Sequence, residues 1–586
     1  MISAAYQDGT YPRPLMVREG AVLLDGPAGF ALDDRDRGLA ERWFERNDVF
    51  DRTIVLPFSP ESPASGIGDT APHRIVWYRI ELPAVEVAER LLLHFGAVDR
   101  IADVWVDGTH VGRHDGGQTA FSFDITDALS GGGGGVIVVR AEDDPADPAI
   151  PRGKQDWHID PHSIWYHRIT GIWRSVWLEA VPEIRVESIV WTTDIPAARL
   201  TGELTLSRPD AVTVEVRASL DGESLGRAVV DGDGGTVLID IPLPILRNGQ
   251  ALEQVLWSPQ HPRLVDLAVT LAVRGAVVDE VASYTGIRSV GIGDRWMLLN
   301  DRPFFVRSVL EQGYWPETHY TPPSAEAMRA EVELMLRLGF NSVRIHQKVE
   351  DPRFLYWCDR LGLTVWCESA SAYAFSAAAV ERHTADWVRI VRANRSHPSV
   401  ITWVPFNESW GISHVRVDPR QQAYSRGLSD ITRALDGTRP VISNDGWEHA
   451  GSDIVSLHDY SAAGEILQRR YESPITLDGR GAHGRPLVVS HHDESLPIMV
   501  TEFGGVRFDV EPPEDDEGWG YSDEKTAEGF EQRLRDLIGA LTVSRQLAGF
   551  CYTQLTDTRQ ERNGLCDERR KPKIPEAALR EIIIGR

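Results

Sequence analysis

The chain has 586 residues, of which 42% are hydrophobic and 25% charged, and its formal net charge is −26 at pH 7. At ~100–200 residues per domain, this length predicts about three or four domains. The acidic balance, without long basic runs, argues against nucleic acid or an anionic membrane as a partner.

The amino terminus, MISAAYQDGTYPRP, has no basic start followed by an apolar core, and no long apolar run follows it. The four cysteines are too few for a disulfide framework, and their spacing does not suit zinc. They are Cys358, Cys367, Cys551 and Cys566. We therefore expect a cytoplasmic protein with no metal and no other cofactor.

Residues 1–182 contain short runs in which apolar and polar residues alternate, bounded by Gly, Asp and Pro. The runs are IVWYRIEL (75–82), RLLLHFG (90–96), IADVWVDG (101–108), AFSFDI (120–125) and GVIVVRAE (135–142). This alternation predicts strands and favours a β-sandwich of the jelly-roll type. Residues 183–288 alternate in the same way, and their length fits a seven-stranded immunoglobulin-like β-sandwich.

From residue 289 to residue 586, short apolar runs alternate with amphipathic stretches such as 325–339 and 377–395, which predict helices. The eight candidate strands lie at 302–309, 341–346, 363–368, 399–408, 439–445, 453–459, 497–503 and 548–557. Eight strands with crossover helices predict a (β/α)8 TIM barrel. In such barrels the functional side chains lie at the C-terminal ends of the strands.

Two glutamates stand at predicted strand ends. Glu408, in VPFNESWG, ends the fourth candidate strand, and Glu502 ends the seventh. A single carboxylate at such a position could be a structural ion pair. Two that face each other are the apparatus of glycoside hydrolysis, about 5 Å apart when configuration is retained. One then serves as acid/base and the other as nucleophile.

Motifs along nearly the whole chain carry a family resemblance. They are Trp105-Val106-Asp107-Gly108, Gly112 to Gly117, Gly171-Ile172-Trp173-Arg174, Leu256-Trp257-Ser258-Pro259, Gly286-Ile287-Arg288, Asn341-Ser342-Val343-Arg344, Phe406-Asn407-Glu408 and Thr501-Glu502-Phe503-Gly504. In these motifs the chain resembles glycoside hydrolase family 2, which includes β-galactosidases, β-glucuronidases and β-mannosidases. The resemblance implies a jelly roll, an immunoglobulin-like domain and a catalytic barrel, in that order.

The resemblance also implies roles for five residues. Glu408 matches the general acid/base, and Glu502 matches the nucleophile. We expect burial or the charge of Glu502 to raise the pKa of Glu408. Tyr460 matches a tyrosine that hydrogen-bonds the nucleophile, although a core tyrosine is the alternative. Asn407 matches the amide that holds the sugar 2-hydroxyl, and Arg344 matches an arginine near the nucleophile.

Other polar and aromatic residues at or just past the strand ends are candidates for substrate binding. They are His346, Trp410, Asn444, Trp447, His458, Asp459 and Gln554. For each of them an ordinary loop or core residue is the alternative. As a set they predict a polar pocket with aromatic walls, which suits a sugar.

The chain departs from the family in two places. Asn563-Gly564-Leu565 lacks the lysine with which β-glucuronidases hold a carboxylate, which argues against a glucuronide unless Lys348 or Arg507 takes its place. The eighth candidate strand ends in YTQLTD, where many members have a tryptophan. The second departure puts a standard pyranoside pocket in question.

These observations leave three hypotheses. The first is a retaining exo-glycosidase for terminal β-galactosides. The second is the same enzyme with another glycone, namely β-galactofuranoside, α-L-arabinoside, β-glucuronide or β-mannoside. The third is a non-catalytic carbohydrate-binding protein, against which the two glutamates argue. The expected partner is an oligosaccharide or glycoside, and the resemblance allows a homo-oligomer, either a dimer or a tetramer.

Overall fold

The chain folds into two β-sandwiches followed by a barrel. The computed structural model describes residues 3–85, 89–129, 134–475, 477, 479–489, 495–511 and 518–585. In this part of the chain, no helix has both the length and the apolar character needed to cross a membrane. The predicted fold class, with two sandwiches and a TIM barrel, is confirmed.

The first sandwich consists of two antiparallel sheets that face each other across an apolar core. One sheet has, in spatial order, Arg52–Leu56, Gly26–Leu32, Ile75–Leu82, Gly135–Glu142, Ile101–Val106 and Thr109–Asp115. The other has Val22–Leu23, Val176–Val181, Arg90–Phe95 and Phe121–Asp124. A short pair, Val98–Asp99 with Gly171–Ile172, stands beside them.

The second sandwich has seven strands. Three of them, in spatial order, are Val186–Asp194, Arg199–Leu206 and Thr236–Pro242. The other four are Glu223–Gly232, Val212–Leu220, Val265–Val273 and Ala276–Thr285. Alternation determines the faces, since Val237, Ile239 and Ile241 are buried while the residues between them are exposed.

The first residues of the chain pack away from the first sandwich. Val17 pairs with Ala282 of the second sandwich, and the backbone amide of Ala5 donates to Asp266. Ala4 and Ala5 belong to the apolar core of the barrel region. If the chain is divided at residues 182 and 288, as we propose, the leading segment of the first domain contacts both of the other domains.

The barrel is built on parallel strands. Barrel strands 1, 2, 3, 4, 6, 7 and 8 are Val306–Glu311, Ser342–Ile345, Thr364–Glu368, Val400–Val404, Val455–Asp459, Ile498–Gly504 and Gly549–Thr553. They pair in the order 4-3-2-1-8-7-6. The predicted run 302–309 is split, because Arg302–Pro303 belongs to a separate sheet with Val290–Gly293 and Trp296–Leu299. A further short pair is Val506–Arg507 with Ser522–Asp523.

The fifth candidate strand, 439–445, forms no regular ladder. It bridges to strand 4 only at Trp403–Val441 and Asn407–Asp445. Side-chain oxygens replace ladder acceptors here, since the Val441 amide donates to Asp453 and the Ser443 amide donates to Ser452. The segment still fills the gap between strands 4 and 6, and it carries Asn444 and Asp445 to the mouth of the barrel.

Seven α-helices occur in the described residues, all of them in the barrel region. They are Ala325–Leu338, Pro352–Leu361, Ala377–Asn394, Pro419–Leu435, Gly464–Tyr471, Ala527–Thr542 and Glu576–Ile584. The first and third match the predicted amphipathic segments. Ser324 and Ser376 cap them by accepting a backbone N–H three residues on. Short 3-10 turns are Trp43–Glu45, Pro63–Ser65, Thr126–Ala128, Pro244–Arg247 and Leu252–Gln254.

A loop of the first sandwich, residues 150–168, reaches over the mouth of the barrel. The amide of Gly153 donates to the carbonyl of Ser371, and the Trp519 indole donates to the carbonyl of Ser163 at 2.9 Å. The hydroxyl of Tyr166 donates to Glu561, which follows barrel strand 8. We call this segment the sandwich loop, and it forms one side of the candidate site.

Candidate active site

The two predicted glutamates meet at the mouth of the barrel. A carboxylate oxygen of Glu408 and one of Glu502 lie within 4.8 Å of each other. The side chain of Glu408 is 20% exposed, whereas that of Glu502 is only 7% exposed. Glu502 therefore lies at the floor of the site, and Glu408 lies nearer its opening.

Arg344 connects the carboxylates of the floor. It is fully buried on barrel strand 2 and donates to Glu368 at 2.8 Å and to Glu502 at 2.9 Å. Its guanidinium also lies 2.6 Å from Asp445 and donates to the Asn407 side-chain oxygen at 2.7 Å. A buried charge of this kind is tolerated because each donor finds an acceptor. Arg344 thereby orients both Glu502 and Asn407.

Glu408 stands on a strained turn after barrel strand 4. Its φ is +48°, and that of Ser409 is +59°, a region that costs non-glycine residues about 1 kcal/mol or more. The turn is held by two backbone donors, from Glu408 to the Asp445 carbonyl at 3.0 Å and from Ser409 to Asn444 at 2.8 Å. Asn444 also donates to Ser409 and to the Glu448 carbonyl. We therefore propose that Asn444 supports the turn rather than contacting substrate.

The pKa of Glu408 is lowered, contrary to our expectation. Burial raises the pKa of this carboxyl, but the hydrogen bond and the charge of His458 outweigh that effect. His458 Nδ1 lies 2.8 Å from Glu408 Oε1, and its Nε2 lies 3.0 Å from Asp445. Burial lowers the pKa of His458, while Glu502, Asp445 and Glu408 raise it, to about 10 overall. Our prediction of a raised pKa was therefore wrong because it did not include the charge of His458 beside the carboxyl.

Tyr460 reaches the nucleophile from the end of barrel strand 6. Its hydroxyl donates to Glu502 at 2.6 Å and lies 3.2 Å from the Thr553 hydroxyl. Its ring stacks on Tyr521 with 3.4 Å between ring centroids. Burial and then the charge of Glu502 raise the pKa of Tyr460 well above its usual value, so the hydroxyl remains a donor.

Aromatic side chains stand on the side of Glu408 that faces the opening. Trp410 packs edge-on against Trp165 of the sandwich loop, with 5.6 Å between ring centroids. Tyr373 lies 6.0 Å from Trp410, and Trp157 contacts both Tyr373 and Trp165. Trp157 remains 40% exposed. The predicted aromatic wall thus comes partly from another domain.

The remaining predicted binding residues differ in their surroundings. His346 is buried 3.1 Å from Glu368, and Trp447 carries the Arg485 guanidinium 4.0 Å above its ring. Asp459 accepts from Arg470 and Tyr471, both on the helix Gly464–Tyr471. Gln554 accepts from Gln312 at 2.7 Å, and its buried Nε2 has no partner. For these four residues, substrate contact stays a prediction.

Neither predicted substitute for the missing lysine faces the site. Lys348 is buried, pairs with Glu350 and donates to the Gly313 carbonyl at 2.7 Å. Arg507 pairs with Asp509 at 2.8 Å. A cation that does act on the carboxyl of Glu408 is Lys154 of the sandwich loop, which sequence reasoning missed.

Lys154 lies among the acidic groups of the site. No carboxylate of the described residues forms an ion pair with it, and its ammonium lies 5.8 Å from the Tyr166 ring centroid. Burial raises the pKa of both Glu408 and Glu561, and the Lys154 ammonium opposes that effect in each. A cation so placed can bind an oxygen-rich ligand.

Two groups of described side chains bring three possible metal ligands within 4.8 Å. Asp156, His158 and His162 form the first, but the two imidazoles stack with 4.2 Å between centroids, so they do not converge on one point. The second contains Glu408, His458 and Glu502, where Arg344 already supplies the positive charge. Neither group carries an argument for a metal.

A cavity of about 720 Å³ lies elsewhere, between the three regions of the chain. Arg174, Glu203 and Arg392 are among its lining residues, and neither Glu408 nor Glu502 reaches it. Asp351, one of several acidic residues that line it, is paired with Arg353. We base the site on the facing carboxylates rather than on cavity size.

Arg344 provides a first test of this arrangement. Arg344→Met should lower the free energy of unfolding by about 3–5 kcal/mol, because it leaves buried carboxylates unpaired. Urea denaturation of the full chain measures the change. The exposed Arg392 gives a matched control, for which Arg392→Met should cost less than about 0.5 kcal/mol. Equal effects of the two changes would contradict the proposed ion-pair centre.

Three family models match successive parts of the chain. "Glycosyl hydrolases family 2, sugar binding domain" matches residues 22–182, and "Glycosyl hydrolases family 2" matches residues 184–288. "Glycosyl hydrolases family 2, TIM barrel domain" matches residues 290–494. Together the three matches span both sandwiches and much of the barrel.

Individual relatives and solved structures are similar to this chain at low sequence identity. A β-glucuronidase of Rattus norvegicus is 27% identical over 571 residues, covering 85% of this chain and 83% of that protein. A β-galactosidase of Thermoanaerobacter pseudethanolicus is 25% identical over 387 residues, covering 63% of this chain and 48% of that protein. The chain also spans only 46% of a relative from Formosa agariphila. The solved β-glucuronidase of Ruminococcus gnavus superposes with a TM-score of 0.76 at 17% identity, covering 98% and 99% of the chains.

Proposed function

The chain belongs to glycoside hydrolase family 2, and on that premise we propose that it hydrolyses terminal β-glycosides with retention of configuration. The observation that carries the proposal is the approach of Glu408 and Glu502 carboxylate oxygens to within 4.8 Å. Retaining enzymes hold their carboxyl groups about 5–5.5 Å apart, whereas inverting enzymes need about 6.5–9.5 Å for an intervening water.

In the first step, the Glu502 carboxylate attacks the anomeric carbon while Glu408 gives a proton to the glycosidic oxygen. The bond to the aglycone breaks, and a covalent glycosyl ester forms on Glu502. Arg344 and Tyr460 donate to Glu502 and hold its carboxylate in one orientation. Asn407, fixed by Arg344, is positioned to bind the 2-hydroxyl.

In the second step, Glu408 accepts a proton from water, and the water oxygen attacks the anomeric carbon. The ester to Glu502 breaks, and the sugar leaves with its original configuration. The greater exposure of Glu408 suits this step, because both aglycone and water enter from its side. Trp410 and Trp165 would then line the aglycone side of the pocket.

Two glycones are candidates. A β-galactoside is our first hypothesis from the sequence, and a β-galactosidase is among the relatives. A β-glucuronide is the second candidate, supported by the Lys154 ammonium, which pairs with no carboxylate among the described residues, and by the name of the rat relative. The absence of the family lysine after Asn563 is then no obstacle, because Lys154 supplies a cation near Glu561, the carboxylate to which Asn563 donates.

A panel of nitrophenyl glycosides separates the candidates, with β-galactopyranoside and β-glucuronide tested beside β-galactofuranoside, β-mannoside and α-L-arabinoside. If the glycone is a uronide, Lys154→Met should lower kcat/KM on it by roughly 10- to 100-fold, as expected for a lost charged hydrogen bond. The exposed Lys571 gives a control, since Lys571→Met makes the same change away from the site. Release of galactose unaffected by Lys154→Met would instead support the β-galactoside.

A further inference from the structure

His458 is a buried histidine whose two ring nitrogens both face carboxylates. Its side chain is 0% exposed. Nδ1 lies 2.8 Å from Glu408 Oε1, and Nε2 lies 3.0 Å from Asp445 Oδ2. Nε2 is also 3.5 Å from Glu502 Oε1. No other imidazole of the described residues lies so close to both proposed catalytic carboxylates.

The imidazole is held in one orientation. A Cβ at position 446 would overlap the His458 ring, so Gly446 closes tightly over one ring face. Gly446 has a φ of +81°, which glycine adopts at little cost. Asp445 is itself fixed by Arg344 at 2.6 Å. The ring thus cannot turn away from Glu408 without disturbing the ion-pair centre.

The two carboxylate contacts of the His458 ring determine which of its nitrogens carries hydrogen. A carboxylate oxygen accepts hydrogen bonds, so in the resting protein a nitrogen beside it carries hydrogen unless the carboxyl itself is protonated. At Asp445, whose pKa Arg344 holds low despite burial, the hydrogen is on Nε2. At Glu408, one hydrogen lies between Nδ1 and Oε1, bound to either atom.

We propose that His458 is a positioning residue that stores the acid/base proton against Glu408 and returns it in each catalytic cycle. This inference rests on the proposed function, because it assigns a task to the neighbour of the proposed acid. It concerns the residue through which Glu408 acts, and it gives His458 no direct contact with the sugar.

The proton balance closes over the two steps. At the start, the Glu408–His458 pair holds one proton on the Nδ1–Oε1 contact. Glu408 Oε1 takes it and gives it to the glycosidic oxygen. The ionised Glu408 and the bare Nδ1 then face each other as two acceptors until the second step restores the proton. In the second step, the attacking water gives a proton to Glu408, and that proton returns to the Nδ1–Oε1 contact. Nε2 keeps its hydrogen throughout.

The charged and titratable groups around His458 favour a proton on this pair. Acidic neighbours are Glu408, Asp445 and Glu502, and basic or neutral neighbours are Arg344, His346, His449 and Lys154. The directions agree with the geometry, since the three carboxylates outweigh burial and raise the pKa of His458. The apparent pKa values of strongly coupled groups belong to the pair. The loss of the shared proton is therefore assigned to Glu408 and His458 together.

The test is the pH dependence of kcat/KM for a glycoside with a poor, alkyl leaving group. The wild-type rate should fall only when the pair loses its proton, far above neutrality. In His458→Asn the imidazole that holds the proton against Glu408 is gone, so the carboxyl loses its proton at a lower pH than the pair does. The basic limb should therefore move down by about two pH units or more, and the loss at pH 9 should reach roughly 100-fold. Activated aryl glycosides should lose much less.

His449→Asn is the matched control. His449 is also buried in this part of the barrel, but its nitrogens contact Ser452 and the Ser456 carbonyl instead of carboxylates. Its substitution should leave the basic limb where the wild-type protein has it. Should His458→Asn fail to fold, His458→Gln serves as a second variant.

Three results separate the possible failures. A wild-type basic limb near pH ~6 would overturn the inference without any variant. A His458→Asn limb that coincides with the wild-type limb would also overturn it. Full activity of Glu408→Gln on the alkyl glycoside would instead refute the proposed function.

Discussion

Glu502→Gln is expected to lower kcat/KM by roughly 10⁴-fold or more on every glycoside that the protein hydrolyses. The amide cannot form the glycosyl ester, so neither step of the double displacement proceeds, whatever the leaving group. The variant should fold, because the amide oxygen can still accept from Arg344, and the amide nitrogen can donate to the hydroxyl oxygen of Tyr460. Initial rates with both aryl and alkyl glycosides measure the loss.

Azide sharpens this first prediction. In Glu502→Ala the space left by the carboxylate admits the anion, which attacks the anomeric carbon from the same face. The product should be a glycosyl azide of inverted configuration, identified by NMR. Glu317, a glutamate whose side chain is 61% exposed, gives the control, and Glu317→Gln should keep wild-type rates. Recovery by azide without inversion would contradict the role of Glu502.

Glu408→Gln should divide substrates by leaving group. For alkyl glycosides we expect kcat/KM to fall by about 10²–10⁴-fold, the usual contribution of a general acid. For aryl glycosides with activated leaving groups the loss should stay below about tenfold, because such groups depart without a proton. The structural basis is the position of Glu408 at the opening of the site.

The contrast between the two glutamates is the informative outcome. If kcat/KM of Glu408→Gln falls equally for all leaving groups, Glu408 is not the general acid. Near wild-type activity of Glu408→Gln on a natural disaccharide would also contradict this role. Measurements of kcat/KM are preferred over kcat, since kcat/KM reports the first irreversible step, in which the acid acts.

Periodicity in the sequence was sufficient to predict the barrel and the strand ends that carry the central residues. Glu408, Glu502, Arg344 and Tyr460 follow or end runs of apolar residues, and parallel strands bring such ends together. Glu368 ends barrel strand 3 in the same way, so the same signal could have identified it. It is the partner that Arg344 needs on the side away from Glu502.

Contacts between domains could not be predicted from the sequence. Lys154 and Trp165 lie in a loop of the first sandwich, and no local pattern indicates that this loop covers the barrel. The fifth barrel segment was also predicted as a strand, because its apolar run is real. The oxygens of Asp453 and Ser452 that replace its ladder come from later in the chain, and their approach depends on the closed barrel.

The protonation of Glu408 shows a third limit. Sequence position predicted a buried acid beside a second carboxylate, which by itself raises a pKa. The direction depends on His458, and the sequence placed that residue only at a strand end. Which nitrogen faces which carboxylate follows from the packing of Gly446 and Asp445 around the ring.

The most direct test of the central claim is covalent labelling with a 2-deoxy-2-fluoro glycoside that has an activated leaving group and the glycone found by the panel. The fluorine slows both steps, and the good leaving group lets the first step outrun the second, so the ester accumulates. Digestion and mass spectrometry then locate the sugar. We predict one sugar per chain on the peptide that contains Glu502, and none in Glu502→Gln. A label on Glu408, or turnover of ordinary substrate without any label, would contradict the assignment of Glu502 as the nucleophile.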